Sequence, residues 1–367
     1  MAELPCRAEH VGSLLRPKEL TTAFRAHGAG TLDDDAFREI QDRAIRDVVR
    51  LQQEAGLRMV TDGEFRRGSY WGHFIGPVAG LTVRDAVFSF RDDQGVEQAF
   101  IAPHVAGKVR RTRPISNAEF RFLADCSTVT PKITLPSPPT FHFWRGGAAI
   151  DPDAYENANA FFDDFAKIYQ QEIKELHELG ARYIQIDEVP LAMLCDDGVR
   201  AKVAAWGDDP DRLMDLYIGA INQAVAGRPA GMTVAMHICR GNFKGKYLSE
   251  GGYEPVAERL FQGIQVDAFF LEYDTPRAGD FAPLRFVPAP KRVVLGLVSS
   301  KRPALEDGDD LVRRIEAAAR VIDGDRLSLS PQCGFASAVS GNPVTLDDER
   351  AKLDLIVRTA IRVWGQA

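Results

Sequence analysis

Apolar residues recur along this chain in two rhythms. Short runs rich in β-branched and aromatic side chains, each closed by turn residues, predict strands; longer stretches with apolar positions three and four apart predict helices. The strand-like runs are HVGS, RMVTDGE, PKITLPSP, YIQIDE, TVAMHIC, AFFLEYD, VVLGLVSS and LSLSPQCG. Between them, helical spacing predicts helices over 33–56, 151–180, 208–226, 253–262, 309–322 and 345–364. In the first of these an aspartate cluster suits the positive end of the helix dipole, Ile40, Ala44, Val48 and Leu51 form the apolar stripe, and Gly56 stops it. In the second, Phe161, Phe165, Ile168, Ile173 and Leu176 make a broad apolar face that ends at Gly180.

Strands alternating with helices predict an α/β fold with a parallel sheet, and eight such strands fit a (β/α)8 TIM barrel formed by the single domain 1–367. A doubly wound two-domain fold is disfavoured, because no Gly-x-Gly-x-x-Gly loop follows a first strand. One region breaks the alternation. Over 80–113 the chain reads LTVRDAVFSF, a turn-like DDQG, then EQAFIAP and GKVRR, which predicts a β-hairpin inserted after strand two and able to cover a site.

Composition narrows the class without naming it. Of 367 residues, 45% are hydrophobic and 26% charged, as in a soluble protein with a large core. The net charge of -7 and the lack of a Lys/Arg tract argue against a nucleic-acid partner and for small molecules. Five scattered cysteines make no disulfide framework and suit a reducing compartment, the cytoplasm. The N-terminus reads as neither signal nor anchor, and no later stretch is apolar enough to span a bilayer. Homo-oligomerisation is left open.

The polar candidates gather at strand ends, where a barrel places its chemistry. In MHICRGN, His237 and Cys239 stand two residues apart, so an extended backbone points both to one side. Glu272 ends VDAFFLEYD, and Cys333 with its turn glycine ends RLSLSPQCGF. One imidazole, two thiolates and a carboxylate form a donor set suited to Zn2+. An ion held by two thiolates is better fitted to lowering the pKa of a substrate thiol than to activating water. Opposite stand Ser13, Glu64 and Asp187, of which the two acids can hold an ammonium group while the hydroxyl helps fix a carboxylate. His10, His73 and Trp71 are further candidates for the pocket wall. Read singly, the cysteines are ordinary small core residues and Asp187 and Glu188 brace loops. A metal-free barrel lyase or decarboxylase and a non-catalytic metal-binding barrel are the competing functional classes.

On the segments HVGS, TDGEFRR, YIQIDEVP, MHICRGN, FLEYD and LSLSPQCGF, which span nearly the whole chain, the sequence resembles the cobalamin-independent methionine synthase family, in its C-terminal catalytic barrel and the stand-alone proteins built like it. That resemblance implies a zinc ion on His237, Cys239, Glu272 and Cys333, homocysteine bound through its sulfur, and amino-acid contacts from Ser13, Glu64 and Asp187. The implied reaction is transfer of a methyl group to homocysteine, giving methionine, with 5-methyltetrahydrofolate as the family's usual donor. Full-length family members carry an additional N-terminal barrel that helps bind polyglutamylated folate. The segment TDGEFRRGSYWGHF and the hairpin look more like the stand-alone branch, which includes proteins similar to the epoxyalkane:coenzyme M transferases.

Overall fold

A computed structural model describes residues 6–367. The N-terminal reading made from 1–5 lies outside the described residues. Among the described residues nine strands form: β1 (Met59–Val60), β2 (Val78–Arg91), β3 (Glu97–Arg111), β4 (Thr130–Pro136), β5 (Tyr183–Glu188), β6 (Thr233–Ile238), β7 (Ala268–Glu272), β8 (Arg292–Val298) and β9 (Leu327–Pro331). The helices are α1 (Lys18–Gly28), α2 (Asp34–Glu54), α3 (Asn117–Cys126), α4 (Ala158–Glu178), α5 (Pro190–Met193), α6 (Asp197–Ala205), α7 (Pro210–Val225), α8 (Glu254–Gly263), α9 (Gly308–Ala319) and α10 (Leu346–Trp364).

Seven strands make one parallel sheet in the order β1-β4-β5-β6-β7-β8-β9, curled as in a TIM-type barrel. Its burial is nearly complete, as both faces of a parallel sheet require. The predicted first strand is the exception. HVGS forms no regular strand; Ala8 bridges Leu329 at one side, and at the other Gly63 O accepts from Leu14 N at 3.2 Å while Thr61 donates to Gly12 O at 2.6 Å. The segment thus lies between β9 and β1 and spans the seam with single contacts.

The predicted helices appear within a few residues of their expected ends, apart from α4, which starts at Ala158 and not at 151. Local chemistry explains several boundaries. Asp33 caps α2 by accepting from Ala36 N, and Thr345 with Asp348 forms a reciprocal capping box on α10. The sequence reading marks no helix at α1, α3, α5 or α6; these four are short, of 11, 10, 4 and 9 residues, so each offers few repeats of the apolar spacing. The insertion is present as predicted, with β2 and β3 paired antiparallel from Val78↔Arg111 to Arg91↔Glu97 around the turn at 92–96.

The core carries buried charge as well as apolar side chains. Glu349 on α10 accepts from Leu15 N at 2.8 Å, while its other carboxylate oxygen has no partner. Burial pushes this carboxyl up from 4.5 to about 8. Because the folded value is the higher one, its stability contribution is full below the unfolded pKa and is lost as pH rises from about 4.5 through about 8. Glu349→Gln should therefore gain on the native protein across that window, by on the order of a few kcal/mol at its top. Urea midpoints taken between pH 5 and 9 read this directly, and two parallel pH profiles would refute it.

Candidate metal and thiol site

The sheet brings the strand-end residues to one mouth. Asp187 and His237 are register partners on β5 and β6, and Cys239 extends that ladder, its N–H donating to Glu188 O at 2.8 Å. His237 and Cys239 therefore face the same way. Cys333 arrives from just beyond β9, where Gln332 N donates to Val298 O at 2.8 Å. Its sulfur stops 3.3 Å from that of Cys239, and both thiols are free.

The donor atoms of His237, Cys239 and Cys333 all lie within 4.8 Å of one another, and all three residues are buried. A tetrahedral ion with bonds of about 2.0–2.3 Å spaces its ligand atoms about 3.3–3.8 Å apart, so this triangle can hold one. Neither imidazole nitrogen of His237 meets an oxygen or nitrogen partner, an unusual state for a buried ring unless something else binds it. The hydrogen bond from Cys239 and the imidazole of His237 hold the Cys333 thiol well below its ordinary pKa, whereas the same sulfur contact and burial push Cys239 up. Burial opposes charge on His237, yet Cys333, Asp187 and Glu272 together raise its pKa. The three side chains form a buried group that could hold a metal ion.

Glu272, the fourth expected ligand, ends β7 beside the triangle but is not among the converging donor atoms. One of its oxygens accepts from Arg240 N at 3.2 Å, and the other lies 3.5 Å from Lys301 Nζ and 3.7 Å from Arg277.

Across the mouth, Ser13, Glu64 and Asp187 line the same cavity of about 840 Å³ as the three metal-type ligands. Glu64 sits at φ 61°, a left-handed backbone uncommon for a residue with a Cβ. Asp62 holds this turn by accepting from Glu64 N at 2.9 Å, and Arg16 donates to Glu64 O at 2.8 Å. The carboxylate itself accepts from Thr134 at 2.8 Å. Asp187 accepts from Gln185 at 2.7 Å, and burial with the charge of Glu64 pushes its carboxyl up to about 7. Ser13 is brought in by close backbone approach: Phe335 N donates to its carbonyl at 2.9 Å, and a Cβ on Gly334 would come within 2.0 Å of its hydroxyl. Glycine is needed there. Glu188, by contrast, points away and accepts from Leu191 N at the start of α5.

Trp71 lines the cavity, while His10 and His73 are not among its lining residues. Burial pushes His10 down to about 3 and His73 well below its ordinary value; His10 is a buried core ring, while His73 is half-buried. The sequence marks the hairpin as a cover for the site but does not name the aromatic residues that form it. Phe90 and Phe100 of the hairpin meet in a tilted contact at 4.9 Å, Phe90 meets Phe243 at 5.4 Å and Phe100 meets Trp144 at 5.5 Å, and all four line the cavity. Only the aromatic positions in the hairpin's alternating pattern hinted at this.

The structure thus places a buried imidazole and two thiols, a group that could hold a metal ion, at the strand ends of a curled parallel α/β sheet beneath an inserted aromatic hairpin. The chain belongs to the cobalamin-independent methionine synthase family: the family model described as "Cobalamin-independent synthase, Catalytic domain" matches residues 7–359. It is 40% identical to the "Uncharacterized protein YxjH" of Bacillus subtilis, over 98% of this chain and 95% of that one. It is 27% identical to the methionine synthase of Pyrococcus abyssi, over 89% and 85% of the two chains. Among solved structures it is similar to the putative vitamin-B12 independent methionine synthase of Listeria monocytogenes, with a TM-score of 0.78, 32% identity and 99% coverage of both chains. The fold is shared too with a B12-independent methionine synthase from Shewanella, solved with selenomethionine, at a TM-score of 0.75 and 22% identity over 98% of this chain and 97% of that one.

Proposed function

We propose that this chain is a zinc-dependent thiol S-methyltransferase that moves a methyl group from 5-methyltetrahydrofolate, or a related donor, to the sulfur of homocysteine, giving methionine. The observation that carries this reading is the meeting, in one cavity, of the His237, Cys239 and Cys333 donors with the facing acids Glu64 and Asp187. Zinc fits the donor set, since imidazole and thiolate are its preferred ligands and neither is suited to magnesium or calcium. When bound there, the ion supplies a Lewis acid that lowers the pKa of a substrate thiol and keeps its sulfur nucleophilic at neutral pH.

The other steps fall to the chain itself. Glu64 and Asp187 hold the substrate ammonium, whose positive charge favours the ionised form of Asp187. Ser13 positions the substrate carboxylate. Phe90, Phe100, Trp144 and Phe243 shield the reacting sulfur from water and offer flat apolar surface to the donor. Keeping two neighbouring cysteines reduced suits the cytoplasm.

The acids also bear on the acceptor. Coenzyme M, the other thiol to weigh, carries a sulfonate and no ammonium, and two carboxylates would repel it. Homocysteine is favoured for that reason. Incubating the zinc-loaded protein with each thiol and following proton release tests the choice, and methionine formation with methylfolate tests the donor. Homocysteine should release about one proton per chain and coenzyme M none; silence toward homocysteine would end the proposal. Glu64→Gln should cost roughly ten- to hundred-fold in kcat/KM, the worth of one charge-assisted hydrogen bond, with zinc content unchanged.

A further inference from the structure

Behind Glu64 lies a buried polar cluster to which the reaction above gives no part. Arg67, on the turn that carries Glu64, is buried, and its Nε and one terminal nitrogen donate to the same oxygen of Glu119 at 3.0 and 2.7 Å. That terminal nitrogen also donates to Thr134 O at 3.0 Å, and the other donates to the Thr134 hydroxyl at 2.7 Å. The hydroxyl in turn lies 2.8 Å from one oxygen of Glu64. A guanidinium has donors and no acceptor, so the hydroxyl accepts from Arg67 and its own hydrogen is left for Glu64. The fit around Thr134 is close, since a Cβ on Gly12 would come within 2.7 Å of its methyl carbon. Among the described residues, no group hydrogen-bonds the other oxygen of Glu64, which lines the cavity.

We propose that Arg67 and Thr134 are positioning residues that commit one oxygen of Glu64 to a fixed hydrogen bond and so present the other to the ammonium group of the substrate. The inference rests on Glu64 holding that ammonium, as proposed above. Its physical basis is preorganisation. A glutamate side chain has several rotatable bonds, and one that must be ordered when the ligand arrives loses binding energy to that ordering. Here the ordering is done in advance by a donor that is itself held: Glu119 fixes Arg67, Arg67 fixes the direction of the Thr134 hydroxyl, and the hydroxyl fixes the carboxylate.

The test is a double-mutant cycle on the whole protein, with Thr134→Val made alone and in a Glu64→Gln background, and homocysteine affinity read by calorimetry of the zinc-loaded protein. Valine keeps the shape of threonine and deletes the hydroxyl. Alone it should weaken homocysteine roughly ten-fold, and in the Glu64→Gln background the loss should shrink to less than about two-fold. Thr134→Ser, which keeps the hydroxyl, should stay close to the wild type. Valine leaves an Arg67 donor unpaired and its variant can fail to fold; Arg67→Lys, which keeps the charge beside Glu119 and removes the second donor, then carries the same cycle. An unchanged affinity, or an equal loss in both backgrounds, overturns the inference, because a purely structural role would act whether or not residue 64 is an acid. A wild-type protein that binds no homocysteine overturns the proposed function with it, whereas one that binds homocysteine and loses affinity on Glu64→Gln, with a null cycle, overturns this inference alone.

Discussion

Changing Cys239 or Cys333 to serine is expected to strip the protein of its metal and its activity together while leaving it folded. The two sulfurs stand 3.3 Å apart and supply two of the three converging donors. A serine hydroxyl is a poor replacement because its pKa is far too high for it to bind as an anion at neutral pH, so each change removes a negatively charged ligand outright. Zinc content should fall from about one per chain to near zero after dialysis against a mild chelator. Far-ultraviolet circular dichroism should not change, since both residues lie past the ends of their strands and border the cavity. Metal analysis and a methylation assay on the same preparations decide the matter; a serine variant that retains stoichiometric zinc would exclude this residue as a ligand.

The second large effect is on stability. Lys132, fully buried on β4, lies 3.6 Å from Glu9 and donates to His10 O at 2.6 Å and to Gln185 at 2.7 Å. Burial pushes the Glu9 carboxyl up and the Lys132 ammonium down, so their attraction and hydrogen bonds work against a large desolvation cost. Lys132→Met leaves Glu9 without its cation, with Tyr183 and Cys6 as side-chain donors, and removes the donor to His10 O and Gln185. The loss should be about 3–5 kcal/mol, read as a drop in the urea midpoint. Adding Glu9→Gln should restore much of it, because the cost comes from an unpaired buried charge. The same network reaches the site, since Gln185 also donates to Asp187 at 2.7 Å. The single variant should accordingly raise the KM for homocysteine; equal midpoints for variant and native protein would rule out the pair as a structural element.

Much of this organisation is legible in the sequence because the information is local. A two-residue spacing puts His237 and Cys239 on one face, and buried parallel strands announce themselves as apolar runs ending in polar residues. The hairpin is legible for the same reason, as alternation around a turn. What could not be read depends on contacts between distant segments. HVGS looks like a strand, but its pairing is reduced to single contacts at the seam. Glu272 has the type and placement of a ligand, yet its surroundings are set by Lys301 and Arg277, which reach it from two other loops. Nor does any local signal mark Arg67, whose buried guanidinium ties Glu119 at 2.7 Å to Thr134 at 2.7 Å behind Glu64. The site's donors are thus visible from sequence, while the cations that orient them are not.

On the proposed function, the imidazole and the two thiols share an ion that meets the substrate's sulfur. X-ray absorption at the zinc edge of the loaded protein, with and without homocysteine, addresses it most directly. Two sulfur neighbours are expected in the resting protein and three once homocysteine is added. An ion without sulfur around it, or a sulfur count that homocysteine leaves unchanged, would contradict it.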